Sequence, residues 1–282
     1  MATRSITSYR DKISTVDEFG KRNWIFPRKP KGRFFNKRKW LASFLLIVFY
    51  VGPFLKLHGD PFMMFNIMQR KLILFGIIFW PQDFYLIVML FLTAIVFIIL
   101  FTVVFGRLFC GWVCPQTIFM EFVFRQIEYL IEGNASAQRR LDKQPMNFEK
   151  LWKKSLKHLV FYLIAFITAN TFLAYMIGVD QLLIYIKEGP VEHLNGFLGL
   201  LVFSGVFYFI FAFFREQVCT MACPYGRLQG VLVDTKTLIV AYDYKRGEPR
   251  RSLSKPKAGK SGDCVNCNAC VAVCPTGIDI RN

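Results

Sequence analysis

The chain has 282 residues, 54% of them hydrophobic and 17% aromatic, with a positive mean hydropathy, yet its formal charge is +17. An ordinary soluble domain is about 45–50% apolar. A plain soluble globule is therefore excluded, and an oily, basic chain is either a membrane protein with basic loops or a nucleic-acid binder.

Residues 1–39 read as a basic tail that includes "RKPKGRFFNKRKW" and lacks the apolar h-region of a cleavable signal peptide. Four apolar stretches follow, from Trp40 to Leu57, Phe84 to Phe105, Leu159 to Gly178 and Gly196 to Phe214. A bilayer needs about 20 apolar residues per helix, so these predict four spans. A shorter run, Leu72 to Trp80, cannot span as a helix, and with Gly76 between two apolar pieces it reads as a small hairpin or re-entrant segment. "WPQDFY", residues 80–85, reads as an aromatic cap on the second span. Between the first two spans only Arg70 and Lys71 are basic, and between the last two only Lys187, whereas 107–157 and 215–282 are rich in Lys and Arg. Basic residues stay on the cytoplasmic side. Both termini of this chain are thus expected in the cytoplasm, with the basic surface touching anionic lipid. A nucleic-acid face would not leave alternate loops bare, so no nucleic-acid partner is expected. The expected organisation is a mostly α, polytopic helical bundle over 40–244, a linker over 245–261 rich in charge, Pro, Gly and Ser, and part of a ferredoxin-like module over 262–282.

All eight cysteines fall on the expected cytoplasmic side, where thiols stay reduced and patterned cysteines indicate metal or redox chemistry. "FGRLFCGWVCPQ" places Cys110 and Cys114 after the second span, and "FREQVCTMACPYG" places Cys219 and Cys223 after the fourth. Both read Cys, three residues, Cys-Pro, both have an arginine shortly before (Arg107, Arg215), and both lead into a half-apolar segment. The pattern suggests an internal duplication of two hairpins, each followed by an interfacial helix. Proline pushes its predecessor out of the α region and favours the first position of a helix. Cys114 and Cys223 are therefore expected at helix N-termini, where a sulfur gains thiolate character that a nearby Arg strengthens. Thiolates are soft ligands for Cu(I), Zn and iron–sulfur centres. The alternative is that each cysteine is a small buried hydrophobe. His158, at the edge of the third span, reads as a polar anchor, with metal or haem ligation the alternative; His58 and His193 fall on the outer side.

Near the C-terminus "CVNCNACVAVCP" presents Cys264, Cys267, Cys270 and Cys274 at the spacing by which bacterial ferredoxins hold 4Fe-4S clusters. In that pattern the first three cysteines serve one cluster and the fourth serves a second. Pro275 is expected to start a helix that carries the Cys274 sulfur away from the other three. Residues 1–282 by themselves are then expected to bind no stable pair of clusters and to hold one labile or three-iron centre at best.

Several stretches together resemble one family: "FWPQDFY", "FGRLFCGWVCPQT", "REQVCTMACPYGRLQ", "LIVAYDYKRGEPR" and "GDCVNCNACVAVCPTGIDIRN". They are similar to the cytochrome c oxidase accessory proteins called CcoG, FixG or RdxA, which assist assembly of cbb3-type oxidases. A looser similarity links the Cys-x-x-x-Cys-Pro pairs to quinol-oxidising membrane proteins of the NapH and NosR type. The resemblance implies a bacterial inner-membrane protein whose length continues past "GIDIRN" into a second cysteine run, so that this chain corresponds to a truncated member with two 4Fe-4S clusters expected only in the full length. It also implies an oxidoreductase that reduces Cu(II) to Cu(I), with copper as substrate at Cys110, Cys114, Cys219 and Cys223. A cytoplasmic electron donor, and copper chaperones or oxidase assembly factors, would be its partners. Two other readings stay open: a quinol dehydrogenase, and a non-enzymatic copper-holding assembly factor.

Overall fold

The computed structural model describes residues 24, 26–57, 60–66, 71–74, 76–188, 193–232, 234, 236–238, 240–250 and 262–274. Most of the basic tail, His58, the 251–261 part of the linker and Pro275 with the residues after it lie outside them.

Helix α1 (Arg33–Val51) starts earlier than the apolar pattern suggests, and its first turns carry Arg33, Lys37, Arg38 and Lys39. It stops at Gly52, where Pro53 turns the chain into a single 3-10 turn. Two short strands, β1 (Lys56–Leu57) and β2 (Asp60–Pro61), pair next. Then β3 (Met63–Asn66), β4 (Lys71–Leu74) and β5 (Ile77–Phe79) form an antiparallel meander with Met63 opposite Leu74 and Leu74 opposite Ile77. The hairpin reading of 72–80 is therefore the one observed, with Gly76 in the turn. A 3-10 turn at Pro81–Asp83, whose Asp83 carboxylate accepts from the Trp80 N–H, leads into α2 (Phe84–Phe105).

After α2 the chain folds through α3 (Leu108–Trp112), α4 (Pro115–Ile118), a π-helical turn at Phe119–Phe124, and α5 (Arg125–Ile131). Helices α6 (Ala135–Lys143), α7 (Phe148–Ile177) and α8 (Val179–Glu188) follow. Then comes α9 (Leu194–Phe209), which runs on in π-helical form to Phe214. A second π-helical turn at Val218–Ala222 precedes α10 (Pro224–Leu232), α11 (Tyr244–Gly247) and α12 (Ala269–Val273).

Among the described residues three helices are long and apolar enough to cross a membrane: Tyr85–Phe105, Phe148–Ile177 and Gly196–Phe214. Their outward faces bear uncovered large apolar side chains such as Met89, Phe91, Phe97, Leu163 and Val202. An apolar surface of that extent needs lipid or protein against it. The expected fourth span is not among these three. The apolar part of α1, Trp40 to Val51, is about 18 Å long at 1.5 Å per residue, and the whole helix, with its basic first turns, about 28 Å, against a hydrocarbon core of about 30 Å. Helix α1 still runs the same course beside α7, from Arg38, which reaches the Gly111 carbonyl at the cysteine end, to Phe49 and Tyr50 near the sheet. Tyr50 shares a 2.9 Å hydrogen bond with Thr168, and the Tyr175 hydroxyl donates to the Phe49 carbonyl at 3.0 Å.

Helices α7 and α9 are antiparallel, as the ring pairs Phe172–Phe203 and Tyr162–Tyr208 show. The sheet sits where α1 and α7 end, with the Met64 sulfur against Gly178 and Lys56 paired to Asp180 at 2.8 Å. Helices α2 and α9 therefore both run away from the sheet, and both cysteine pairs lie at the opposite end of the bundle. The core there is built from Phe119, Met120, Phe124, Phe161, Phe211 and Ala212, with Phe124 stacked on Phe211 at 4.6 Å and edge-on to Phe161 at 4.9 Å. The segment after the first pair is thus the centre of the bundle rather than an interfacial helix. Its aromatic face meets α7 and the end of α9, and its charged residues find partners inside the protein.

Candidate metal centres

The duplication is visible in the backbone. With Cys110 matched to Cys219, Gly106 falls on Arg215; their φ, ψ values are 56°, −121° and 48°, −120°. With Arg107 at −86°, 14°, the first is a type II′ turn, a geometry dominated by glycine at its first central position. Further along, Cys114 and Cys223 share an extended conformation (−57°, 122° and −77°, 113°). Their N–H groups donate to equivalent carbonyls five residues back, Phe109 at 3.1 Å and Val218 at 2.8 Å. Proline then opens α4 and α10, so Cys114 and Cys223 stand at helix starts as the sequence predicts. The two arginines are not counterparts, however. Arg107 occupies the second position of its turn, and Arg215 the first.

The helix after each pair crosses to the other hairpin. Tyr225, in the first turn of α10, shares a 2.6 Å hydrogen bond with Thr102 of α2, and Gln229 donates from Nε2 to Cys110 Sγ at 3.1 Å. Conversely, Phe119 and Phe124 pack on Phe211 at the end of the last span. Gly226 permits a close return of the chain, because a Cβ there would lie 2.5 Å from the Cys219 carbonyl oxygen. This exchange brings the two pairs into one neighbourhood. Burial pushes the Cys219 thiol up to about 11, and the charges of Cys114, Cys110 and Cys223, then Glu216, push in the same direction. Cys110 is also raised, by burial first; Gln229 opposes this, Cys114 and Cys223 add to it, and Arg107 opposes it weakly. Such mutual effects require proximity. Burial and the neighbouring thiols thus favour the protonated form at the first cysteine of each pair, both half-buried.

A lattice of buried charge lies beside the thiols. Arg215 donates both terminal nitrogens to the two carboxylate oxygens of Glu128 at 2.9 Å each. Arg125 pairs with Glu216, Arg38 with Glu121 at 2.5 Å, and Lys157 with Glu132 at 2.7 Å. Arg38 also donates to the Gly111 carbonyl at 3.0 Å, between Cys110 and Cys114, and the Cys219 N–H donates to the Glu216 carbonyl at 3.2 Å. Four acids and four bases from α1, the π-helical turn, α5, α7 and the end of the last span thus balance. Bidentate Arg–carboxylate pairing of this kind is strong and directional. Sequence reasoning passed over this lattice. Its trace is Glu121, Arg125, Glu128 and Glu132, spaced to share one helical face within a segment read only as half-apolar.

The C-terminal run is folded around its cysteines. Asn266 and Asn268 take left-handed conformations, φ 50° and 55°, which turn the backbone sharply between Cys264, Cys267 and Cys270. Cys267 and Cys270 are exposed, Cys264 is half-buried and Cys274 is buried. Successive turns of this kind form concave nests of N–H groups that favour anions such as iron–sulfur clusters. The donor set, spacing and backbone therefore fit a 4Fe-4S centre. The start of the run is tied to 242–250. The Gly262 N–H donates to Pro249 at 3.0 Å and the Asp263 N–H to Arg246 at 2.9 Å, and Tyr242 hydrogen-bonds to Cys264. Partial burial and Cys264 push the Tyr242 phenol up to about 12. Residues 245–250 of the expected linker are thus part of this fold.

Among the described residues no group of three or more His, Cys, Asp or Glu side chains stands ready to hold a metal ion. Ligation at either cysteine set would need the thiols to close on the metal. His158 is engaged otherwise: its Nδ1 shares a 2.8 Å hydrogen bond with the Tyr208 hydroxyl and its ring stacks on Phe213. That arrangement supports the anchor reading.

Comparison with known proteins places this geometry. A 4Fe-4S binding domain model matches residues 86–135, across Cys110 and Cys114, and a 4Fe-4S dicluster domain model matches residues 214–282, across the other six cysteines. Protein RdxA of Cereibacter sphaeroides is 36% identical over 271 residues, 93% of this chain and 56% of its own length. Nitrogen fixation protein FixG of Rhizobium meliloti is 35% identical over 276 residues, 94% of this chain and 52% of its own length. Protein RdxB of Cereibacter sphaeroides is 33% identical over 275 residues, 95% of this chain and 57% of its own length. The chain belongs to the FixG/RdxA/RdxB family. It spans about half the length of the curated relatives it matches. No solved structure matches it. This FixG/RdxA-type chain is a mostly helical iron–sulfur protein with 4Fe-4S domains and three candidate membrane spans.

Proposed function

We propose that this FixG/RdxA-family chain is an electron-transfer protein of a bacterial inner membrane that reduces Cu(II) to Cu(I), in support of oxidase assembly. The observation that carries the reading is the meeting of Cys110, Cys114, Cys219 and Cys223 at one end of the bundle, in a neighbourhood created by the exchanged helices. A 4Fe-4S centre on Cys264, Cys267 and Cys270 supplies single electrons when bound. Cys274 is the fourth thiol of that run, its place in a second cluster following the ferredoxin pattern.

The residues of the bundle do the rest. Four soft thiolates bind Cu(I) in preference to Cu(II), which draws the couple towards reduction. Binding displaces the protons of the raised Cys110 and Cys219 thiols. Gln229 steadies the Cys110 sulfur, and the charge lattice holds the two turns in register. Reduction of each Cu(II) to Cu(I) would need one electron, which a centre held by Cys264, Cys267 and Cys270 would supply and a cytoplasmic donor would replace. Basic loops at the cysteine end support placing that end, and both termini of this chain, in the cytoplasm.

The test is direct. Protein whose clusters have been chemically reduced is mixed anaerobically with Cu(II), and the iron–sulfur absorption is followed. The expected result is bleaching reversed at one electron per copper. Re-oxidation by a quinone analogue but not by Cu(II) would favour a quinol dehydrogenase. Indifference to both would leave a copper-holding assembly factor.

A further inference from the structure

The segment just ahead of α1 reads from sequence as part of a basic tail, yet Trp24 and residues 26–30 touch three separate parts of the fold. The Arg28 N–H donates to the Ala272 carbonyl of α12 at 2.7 Å, a backbone bond to the middle of the C-terminal cysteine run. The neighbouring Pro27 carbonyl accepts from the Tyr129 hydroxyl of α5 at 3.0 Å. Lys29 Nζ lies 6.0 Å from the centre of the same tyrosine ring, and the Trp24 ring covers the Arg215 guanidinium at 5.9 Å. Pro27, Arg28, Arg125, Tyr129 and Val273 line one small recess. A single short segment therefore bridges the cysteine run, α5 and the charge lattice next to Cys219.

We propose that Trp24 and residues 26–30 form a strap that seats the second half of the C-terminal cysteine run on α5. The strap, rather than the linker, fixes the run's distance to the four-thiol cluster. Three physical points support this. The first half of the run is already tied to 246–250, and Ala272 is where the strap adds a second tie. The flanks of the 251–261 stretch are bonded to each other, Gly262 to Pro249 and Asp263 to Arg246, so that stretch sets no distance to the bundle. Pro27 and Pro30 pre-set the backbone of "FPRKP", which lowers the entropy lost on docking. The charge is also matched, because a cluster held by thiolates is anionic and the strap presents Arg28 and Lys29. The seating stands on contacts alone; its consequence for electron transfer rests on the copper-reductase reading above.

Backbone chemistry provides a selective test. Arg28→Pro deletes the N–H that Ala272 accepts, whereas Arg28→Ala keeps it and removes only the side chain. Hydrogen exchange of the full chain, with clusters loaded, would be compared by mass spectrometry over residues 268–274. Loss of one such bond should speed exchange there by about fivefold in Arg28→Pro. Arg28→Ala should remain within about twofold of the parent. Removal of residues 1–30 should speed exchange further, with iron content and copper binding unchanged. Parental exchange in both Arg28→Pro and the deletion would overturn the strap. In the same samples, re-oxidation of reduced clusters by Cu(II) should slow when exchange rises, and an unchanged rate would overturn the claim that the strap sets the distance. If Cu(II) does not oxidise even the parent, the copper reading fails, and the exchange data still decide the seating.

Discussion

At the first hairpin the II′ turn is filled by Gly106, which pays no steric cost for a positive φ; at the second the same turn is filled by Arg215. A non-glycine residue there stores roughly 1–3 kcal/mol of strain. The strain persists because the Arg215 guanidinium is locked to Glu128. The helices that follow differ as well. After Cys114 the chain is the buried core, whereas α10 after Cys223 leaves Val231 83% exposed. One backbone frame has thus been kept twice while the side chains diverged. The first copy became the keel of the bundle, and the second became the part that reaches across and contacts Cys110.

The comparison can be broken most severely at the cysteines. If the two pairs are halves of one copper site, Cys110→Ser/Cys114→Ser and Cys219→Ser/Cys223→Ser should each abolish copper binding in equilibrium dialysis and leave the iron–sulfur absorption intact. Retained copper binding in both would return these residues to packing roles. Loss of the cluster absorption instead would make the pairs iron–sulfur ligands.

A second contrast concerns acidity. With the Cys219 thiol at about 11, the reactive thiolate is about one part in a thousand at pH 8. In metal-free protein its alkylation, read by mass spectrometry, should rise about tenfold per pH unit between 8 and 11. A free cysteine levels off near its ordinary pKa of about 8.5. A plateau for Cys219 near pH 9 would contradict the burial assigned to it.

The turns themselves give a stability contrast. Arg215→Gly relieves the strained φ but strands the Glu128 carboxylate. Breaking a buried pair costs about 3–5 kcal/mol, so a net loss of about 2–3 kcal/mol is expected after the backbone gain. Adding Glu128→Gln should recover part of it in thermal unfolding. At Gly106 the sign reverses, and Gly106→Ala should destabilise through the backbone alone. The smallest effect is at Gln229, 2% exposed, where Gln229→Leu removes one N–H to sulfur bond. It should cost about 1 kcal/mol and leave copper stoichiometry unchanged.

What the sequence disclosed followed the range of the forces involved. The Cys-Pro turns and the 72–80 hairpin are specified by a few adjacent residues, and they stand where the pattern puts them. Helix α1 begins ahead of the expected Trp40 because Arg33–Lys39 belong to the helix, and their charge keeps it out of the three candidate spans. The burial of the segment after Cys114 was hidden because Glu121 and Glu128 look like solvated charges until Arg38 and Arg215, far off in the chain, are seen to meet them. The strap was hidden for the same reason, since its partner Ala272 lies near the other end of the chain.

The charge lattice also carries a rule for biogenesis. Glu128 and Glu216 enter the bundle only as halves of pairs whose other halves are 87 and 91 residues away in the chain. A buried carboxylate that has lost its partner is costly. When the first hairpin leaves the ribosome, Arg215 has not yet been made, and Glu128 must wait in water or against the insertion machinery. The keel of the bundle can settle only after the last helix arrives. Closure of the charge lattice is therefore a late step, completed only once Arg215 and Glu216 have joined Glu128 and Arg125.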